Sequence, residues 1–109
     1  MIHVTVYQNQ EGKYTAFCCI GHAKYAEAGQ DIVCAAVSAL VINTINSIEQ
    51  LTGDTFLLDT DQESGHIGFS LEENHRQESV LLIHSLVLGL QGIQNFYGNE
   101  YLSLNFKEV

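Results

Sequence analysis

Apolar and polar residues alternate over Ile2-His3-Val4-Thr5-Val6-Tyr7, the period of a strand with one buried face. Asn9-Gln10-Glu11-Gly12 supplies a turn, and a second strand is expected from about Tyr14 to Ile20, closing a hairpin. From Ile32 to Ile48 the period changes to that of a helix. Asp31 stands as its N-cap, and Val33, Val37, Leu40, Val41, Thr44 and Ile48 fall on one face. Ala35, Ala36 and Ala39 favour helix and close packing, and Leu51-Thr52-Gly53-Asp54 ends it. Two short strands follow, Thr55–Asp59 and Gly65–Leu71, with Phe56, Leu58, Ile67 and Phe69 able to share a face. Asn74 to Gly98 reads as a second long helix, in which Gly89 and Gly92 weaken propensity but permit close contact with the first helix or a twofold partner. Tyr101 to Lys107 alternates again as a last strand.

The order β-β-α-β-β-α-β predicts a small α/β fold: a mixed or antiparallel sheet with two long helices packed on one side. A chain of 109 residues supports a single domain spanning 1–109. No tract is expected to span a membrane, and the N-terminus reads as a strand instead of a signal peptide, so a cytoplasmic protein is expected. Thirteen acidic residues against four basic ones, a formal charge of -9, argue against nucleic-acid binding and against anionic membranes. That charge is compatible with a basic protein or peptide partner.

Three cysteines, Cys18, Cys19 and Cys34, are too few and odd in number for a disulfide scaffold. Cys18 and Cys19 are adjacent on a strand and should point to opposite faces. Cys34, three residues after Asp31, is expected in the first turn of the helix, where unpaired backbone N–H groups favour negative charge on sulfur. His22 follows the second strand, and the loop between them is long enough to fold back. A Cys–His pair in reach is the basic unit of thiol-dependent acyl transfer. Asp31 could orient the histidine instead of capping the helix. Ser38 lies one turn beyond Cys34 on the same face, and the Cys34 N–H with one from the loop is a candidate oxyanion hole. Gly21 and Gly29 bracket the loop as possible hinges, and Tyr25 is placed to close over a peptide or to be a surface aromatic.

Each residue also has an ordinary reading. Free cysteines are commonly buried, a strand-end histidine is common, and Asp31 and Ser38 suit a cap and a helical serine. A zinc site built on Cys18, Cys19, His22 and Cys34 is the other rival, but it lacks paired C-x-x-C spacing. His3, His66, His75 and His84 show no evident partners, with His84 placed at a core edge or a dimer face. The acidic stretch from Asp59 to Gly65 and the pair Glu72-Glu73 read as solvated faces.

The stretch GHAKYAEAGQDIVCAAVSAL, residues 21–40, resembles the signature of the bacterial ribosomal-processing cysteine proteases: G-H, a short loop with a late glycine, then D-[IV]-V-C-[AS]-A-[VI]-S. The resemblance extends over essentially the whole chain, with the specific part in this stretch. It implies a cysteine endopeptidase that removes the N-terminal extension of ribosomal protein bL27. His22 would be the general base and Cys34 the nucleophile, with Gly21, Asp31 and Ser38 in support. It implies a mobile loop of Ala23, Lys24, Tyr25, Ala26, Glu27, Ala28, Gly29 and Gln30 over the site, a homodimer, and neither cofactor nor metal. Phe96, Tyr97 and Tyr101 are candidate walls for the peptide. A non-catalytic binding or assembly module for ribosomal proteins, or a small zinc-binding module, are the alternatives.

Overall fold

Alternation along the first strand sets the buried face of the whole sheet. In the computed structural model, which describes residues 1–21 and 28–109, the elements follow the expected order. They are β1 (Ile2–Gln8), β2 (Tyr14–Ile20), α1 (Ala28–Ser47), β3 (Phe56–Asp61), β4 (His66–Leu71), α2 (Gln77–Tyr97) and β5 (Leu102–Glu108). The five strands form one sheet in the order β3-β4-β2-β1-β5. Pairing is antiparallel except between β1 and β5, which run parallel, so the sheet is mixed and the last strand lies at an edge.

Register carries the alternation across the sheet. Val4 pairs with Cys19, Val6 with Phe17, Phe17 with Phe69 and Ile2 with Leu102, so one face collects the apolar side chains. These residues are buried, and both helices cover that face. α1 contributes Val33, Val37 and Val41, the turn that follows it contributes Ile48, and α2 contributes Val80, Ile83, Leu86, Val87 and Leu90. Of the helical face expected for α1, five positions are buried, and Leu40 is half-buried against α2. Gly89 is the reason the helices approach there: a Cβ on it would stand 2.8 Å from Leu40 Cδ1. Gly92 has open space beside it and takes no part in that contact.

α1 continues into a single π-helical turn, Ile48–Thr52, and stops at Gly53, whose left-handed φ of 72° lets its N–H reach the Ile48 carbonyl. By length and apolar composition Ile32–Thr52 and Gln77–Tyr97 are each sufficient to cross a membrane, contrary to the expectation from sequence. Both pack one face onto the sheet, as the core helices of an α/β layer do.

α2 begins at Gln77, three residues later than expected, because its start is organised from outside the helix. Asp54, just after Gly53, accepts the Arg76 N–H at 2.7 Å and the Ser79 hydroxyl at 2.5 Å through Oδ2. His84 lies at the core edge. Its Nε2 accepts the Tyr14 N–H at 3.2 Å, and its ring stacks on Tyr14 at a centroid distance of 4.0 Å. Burial pushes its pKa down, consistent with a neutral ring that accepts at Nε2.

Candidate active site

Cys34 stands on the face of α1 that looks across the end of the sheet. Around it is a cleft of about 370 Å³. One wall is α1, through Cys34, Val37, Ser38 and Val41. The floor is Ile2 of β1 with Cys19 and Gly21 at the end of β2. The opposite wall is the β3–β4 hairpin, from Thr60, Asp61 and Gln62 to Gly65, His66 and Ile67. Cys34 is half-buried and Ser38 exposed, so both present atoms to a ligand in the cleft. Three of the expected site residues, Gly21, Cys34 and Ser38, therefore meet in one space. His22 and residues 23–27 lie outside the described residues, as does the side chain of Asp31, so the structure does not bear on their expected roles.

Gly21 has a definite reason to be glycine. Its φ is +112°, and a Cβ there would lie 2.6 Å from the Met1 carbonyl oxygen. The chain leaves β2 pressed against the backbone of Met1, just before β1, an approach that only glycine allows.

The start of α1 differs from expectation. The helix begins at Ala28, so Ala28, Gly29 and Gln30 are helical instead of belonging to a covering loop, and Asp31 stands inside the first turn instead of capping it. Cys34 is accordingly the seventh helical residue, in the second turn. A regular helix leaves only its first four N–H groups unpaired, so Cys34 falls beyond the free N–H groups of the first turn on which the expectation relied. The reason is local: Ala28 and Gln30 are good helix formers and extend the helix by three residues past a plausible cap.

The cysteines separate as the strand period requires. Cys19 is buried on the helix side and lines the cleft. Burial, with the negative charge of Cys18 and Cys34 when these ionise, pushes its thiol up to about 11. Cys18 projects to the open face, where its Sγ lies 3.5 Å from His66 Nδ1. Cys18 and Cys19 therefore cannot share a metal ion, and among the described residues no group of three His, Cys, Asp or Glu could hold one. His66, which showed no partner in the sequence, is held between Cys18 and Asp59, its Nε2 lying 3.5 Å from Asp59 Oδ2.

The hairpin wall is what sequence reasoning missed. The acidic stretch after Asp59 is exposed as expected, but it also borders the cleft. Conversely, Phe96, Tyr97 and Tyr101 do not line it. Phe96 is on the outer surface of α2, and Tyr97 and Tyr101 pack at the edge of the core. Gly65, with a left-handed φ of 66°, was the one local sign of the tight turn that brings the hairpin round.

Known proteins share this sequence and this architecture. The family model for cysteine protease Prp matches residues 1–102. The ribosomal processing cysteine protease Prp of Staphylococcus aureus is 36% identical over 107 residues, which cover 98% of this chain and 100% of that protein. The protein of the same name from Bacillus subtilis is 36% identical over 101 residues, 89% of this chain and 90% of that one. A crystal structure of the Staphylococcus aureus protease with a substrate peptide superposes with a TM-score of 0.90, at 34% identity over 98% of this chain and 100% of that one. A second, with a covalently linked product peptide, gives 0.87 at 36% identity and the same coverage. A Streptococcus mutans protein gives 0.89 at 28% identity, over 100% of this chain and 96% of that one. The small mixed-sheet fold is therefore that of these proteases, and the chain belongs to the Prp family of cysteine proteases.

Proposed function

We propose that this enzyme is a cytoplasmic endopeptidase that removes the N-terminal extension of ribosomal protein bL27, with Cys34 as nucleophile and His22 as general base. The carrying observation is the cleft in which Cys34, Ser38 and Gly21, separated along the motif, come together, Gly21 being the residue directly before His22 in the chain. The names of the relatives support a ribosomal substrate, and the peptide complexes of the Staphylococcus aureus protease support peptide binding by this fold. The net charge of -9 suits a substrate attached to a basic ribosomal protein.

In this mechanism the Cys34 sulfur, its proton taken by His22, attacks the scissile carbonyl. His22 returns the proton to the leaving amine, which departs as the new N-terminus. Water, deprotonated by the same imidazole, then hydrolyses the thioester and releases the extension. Ser38, one turn from Cys34 and facing the same cleft, is assigned a hydrogen bond to the sulfur or to the bound peptide. Asp31 is assigned to orient His22. Residues 23–27 are assigned to cover the bound peptide, a role now confined to the part of the loop before α1. No metal or cofactor enters this scheme. The active form is a homodimer through the outer helix face, where Leu81, Leu88 and Phe96 recur along α2 and are exposed.

The test is cleavage of extended bL27 by wild type, C34A and H22A. C34A should abolish turnover and H22A should lower it by about 10²-fold or more. Equal cleavage by C34A removes Cys34 as nucleophile, and binding of the extension without any wild-type turnover removes the catalytic reading.

A further inference from the structure

Cys18 lies on the face of the sheet opposite the two helices, with the sheet between it and Cys34. On that face Cys18, Gly68 and Asp59 stand in one row across β2, β4 and β3, paired in register. The glycine in the middle of the row makes room for a fourth residue. His66, two positions before it on the same face of β4, lays its ring over the gap: a Cβ on Gly68 would stand 3.2 Å from His66 Nε2. The ring therefore bridges the row, with Nδ1 3.5 Å from Cys18 Sγ and Nε2 3.5 Å from Asp59 Oδ2. With Nε2–H turned to the carboxylate, Nδ1 is left to accept the S–H. A thiol, a base and a group that orients the base are the parts of an activated nucleophile. Beside them is a hollow of about 520 Å³, bordered by Tyr7, Ala16, Leu57 and Ser70, which falls within the about 300–1,000 Å³ of small-molecule sites.

We propose that Cys18, with His66 and Asp59, is a second thiol site, one that reacts with a small disulfide and carries half of it as a mixed disulfide. His66 Nδ1 accepts the Cys18 proton, and the Cys18 sulfur attacks one sulfur of the disulfide. The S–S bond of the small molecule breaks and a new one to Cys18 forms. The other half leaves as a thiolate and takes the proton from His66. Cys18 is oxidised and the departing sulfur is reduced, so the disulfide is the only oxidant required. The surroundings of Cys18 make His66 necessary. Burial, and then the negative charge of Asp59, push the thiol up, so thiolate formed without a base is scarce near neutral pH. The same elevation makes Cys18 a poor leaving group, so the adduct is released slowly by other thiols. Asp59 is exposed and negative, which favours a disulfide that carries ammonium groups.

The probe is cystamine, added to C34A so that the thiol of the catalytic cleft is absent. Mass spectrometry should find one cysteamine adduct, mapped to Cys18, with Cys19 left free. At pH 7, C34A carrying H66Q should react about tenfold or more slowly than C34A, since it lacks the base. The gap should narrow to less than about threefold as pH is raised to 10, where hydroxide takes the place of His66. A substitution that only disturbed packing would slow the reaction at both pH values alike. Thermal melts accompany each variant. Should H66Q fail to fold, Gly68→Ala replaces it, because its Cβ displaces the ring, and the same two comparisons decide. No adduct, an adduct on Cys19 instead of Cys18, equal rates at pH 7, or a gap that persists unchanged at pH 10 overturns the proposal.

Discussion

At the scale of single residues, the motif mixes positions that do chemistry with positions that shape the backbone, and the structure separates two of them. Cys34 and Gly21 look equally essential in the string of letters. Cys34 faces the cleft, while Gly21 is required by a φ of +112° and by the Met1 carbonyl oxygen 2.6 Å from where a Cβ would be. Gly21→Ala should therefore cost stability as well as activity. An unfavourable φ and a sub-contact distance to backbone together should destabilise by about 2 kcal/mol or more. In a domain of this size that lowers Tm by roughly 10 °C, readable by circular dichroism. C34A should melt within a few degrees of wild type, since removing a half-buried thiol leaves only a small void. An unshifted melt for G21A would show that the chain leaves β2 by another route. In the sequence Gly21 reads only as a hinge or a support for the site; the contact that requires glycine there is with Met1, twenty positions earlier in the chain, and local pattern does not show it.

At the scale of elements, periodicity was a good guide wherever the determinant was local. Both helices, all five strands and the faces they bury follow from spacing. Ends were misplaced where a distant group decides them. The start of α2 is set by Asp54, twenty-two positions before Arg76. The hydrogen bond from Ser79 holds the Asp54 carboxyl below the usual carboxylate range, assisted by the Arg76 N–H and charge and opposed by burial. A carboxylate whose folded pKa lies below its unfolded one contributes stability that is fully present above the unfolded value and is lost as pH falls through the folded one. Urea titrations from pH 7 down to about 3 should therefore show wild type losing stability in the acid range beyond what Asp54→Asn loses. Ser79→Ala should cost about 1–3 kcal/mol at pH 7, because Ser79 is fully buried and its removal deprives Asp54 of its shortest bond. Parallel acid profiles for wild type and D54N would show that the helix start does not depend on that charge.

At the scale of the whole molecule, strand order made the site, and strand order is what local pattern does not carry. Placing β4 beside β2, with β3 outside it, swings the hairpin up to face Cys34 and turns an acidic linker into a wall. The charge of the chain then acts with opposite sign on the two proposed associations, the homodimer and the capture of bL27. Self-association through the outer helix face brings two copies of charge -9 together and joins apolar residues, among them Leu81, Leu88 and Phe96. Capture of a basic ribosomal protein brings unlike charges together. Salt screens both, over a Debye length of about 10 Å at 0.1 M and about 3 Å at 1 M. Raising salt should therefore tighten the dimer in sedimentation experiments while slowing cleavage of intact bL27. A short extension peptide without the basic body should be cleaved at a rate nearly independent of salt. Leu88→Glu should shift the protein to monomer, since Leu88 is 71% exposed and a charge there would be buried only on dimerisation. If L88E sediments as wild type does, the dimer uses another face. If salt slows peptide and intact protein equally, the acidic surface does not take part in capture, and selection rests on the cleft alone.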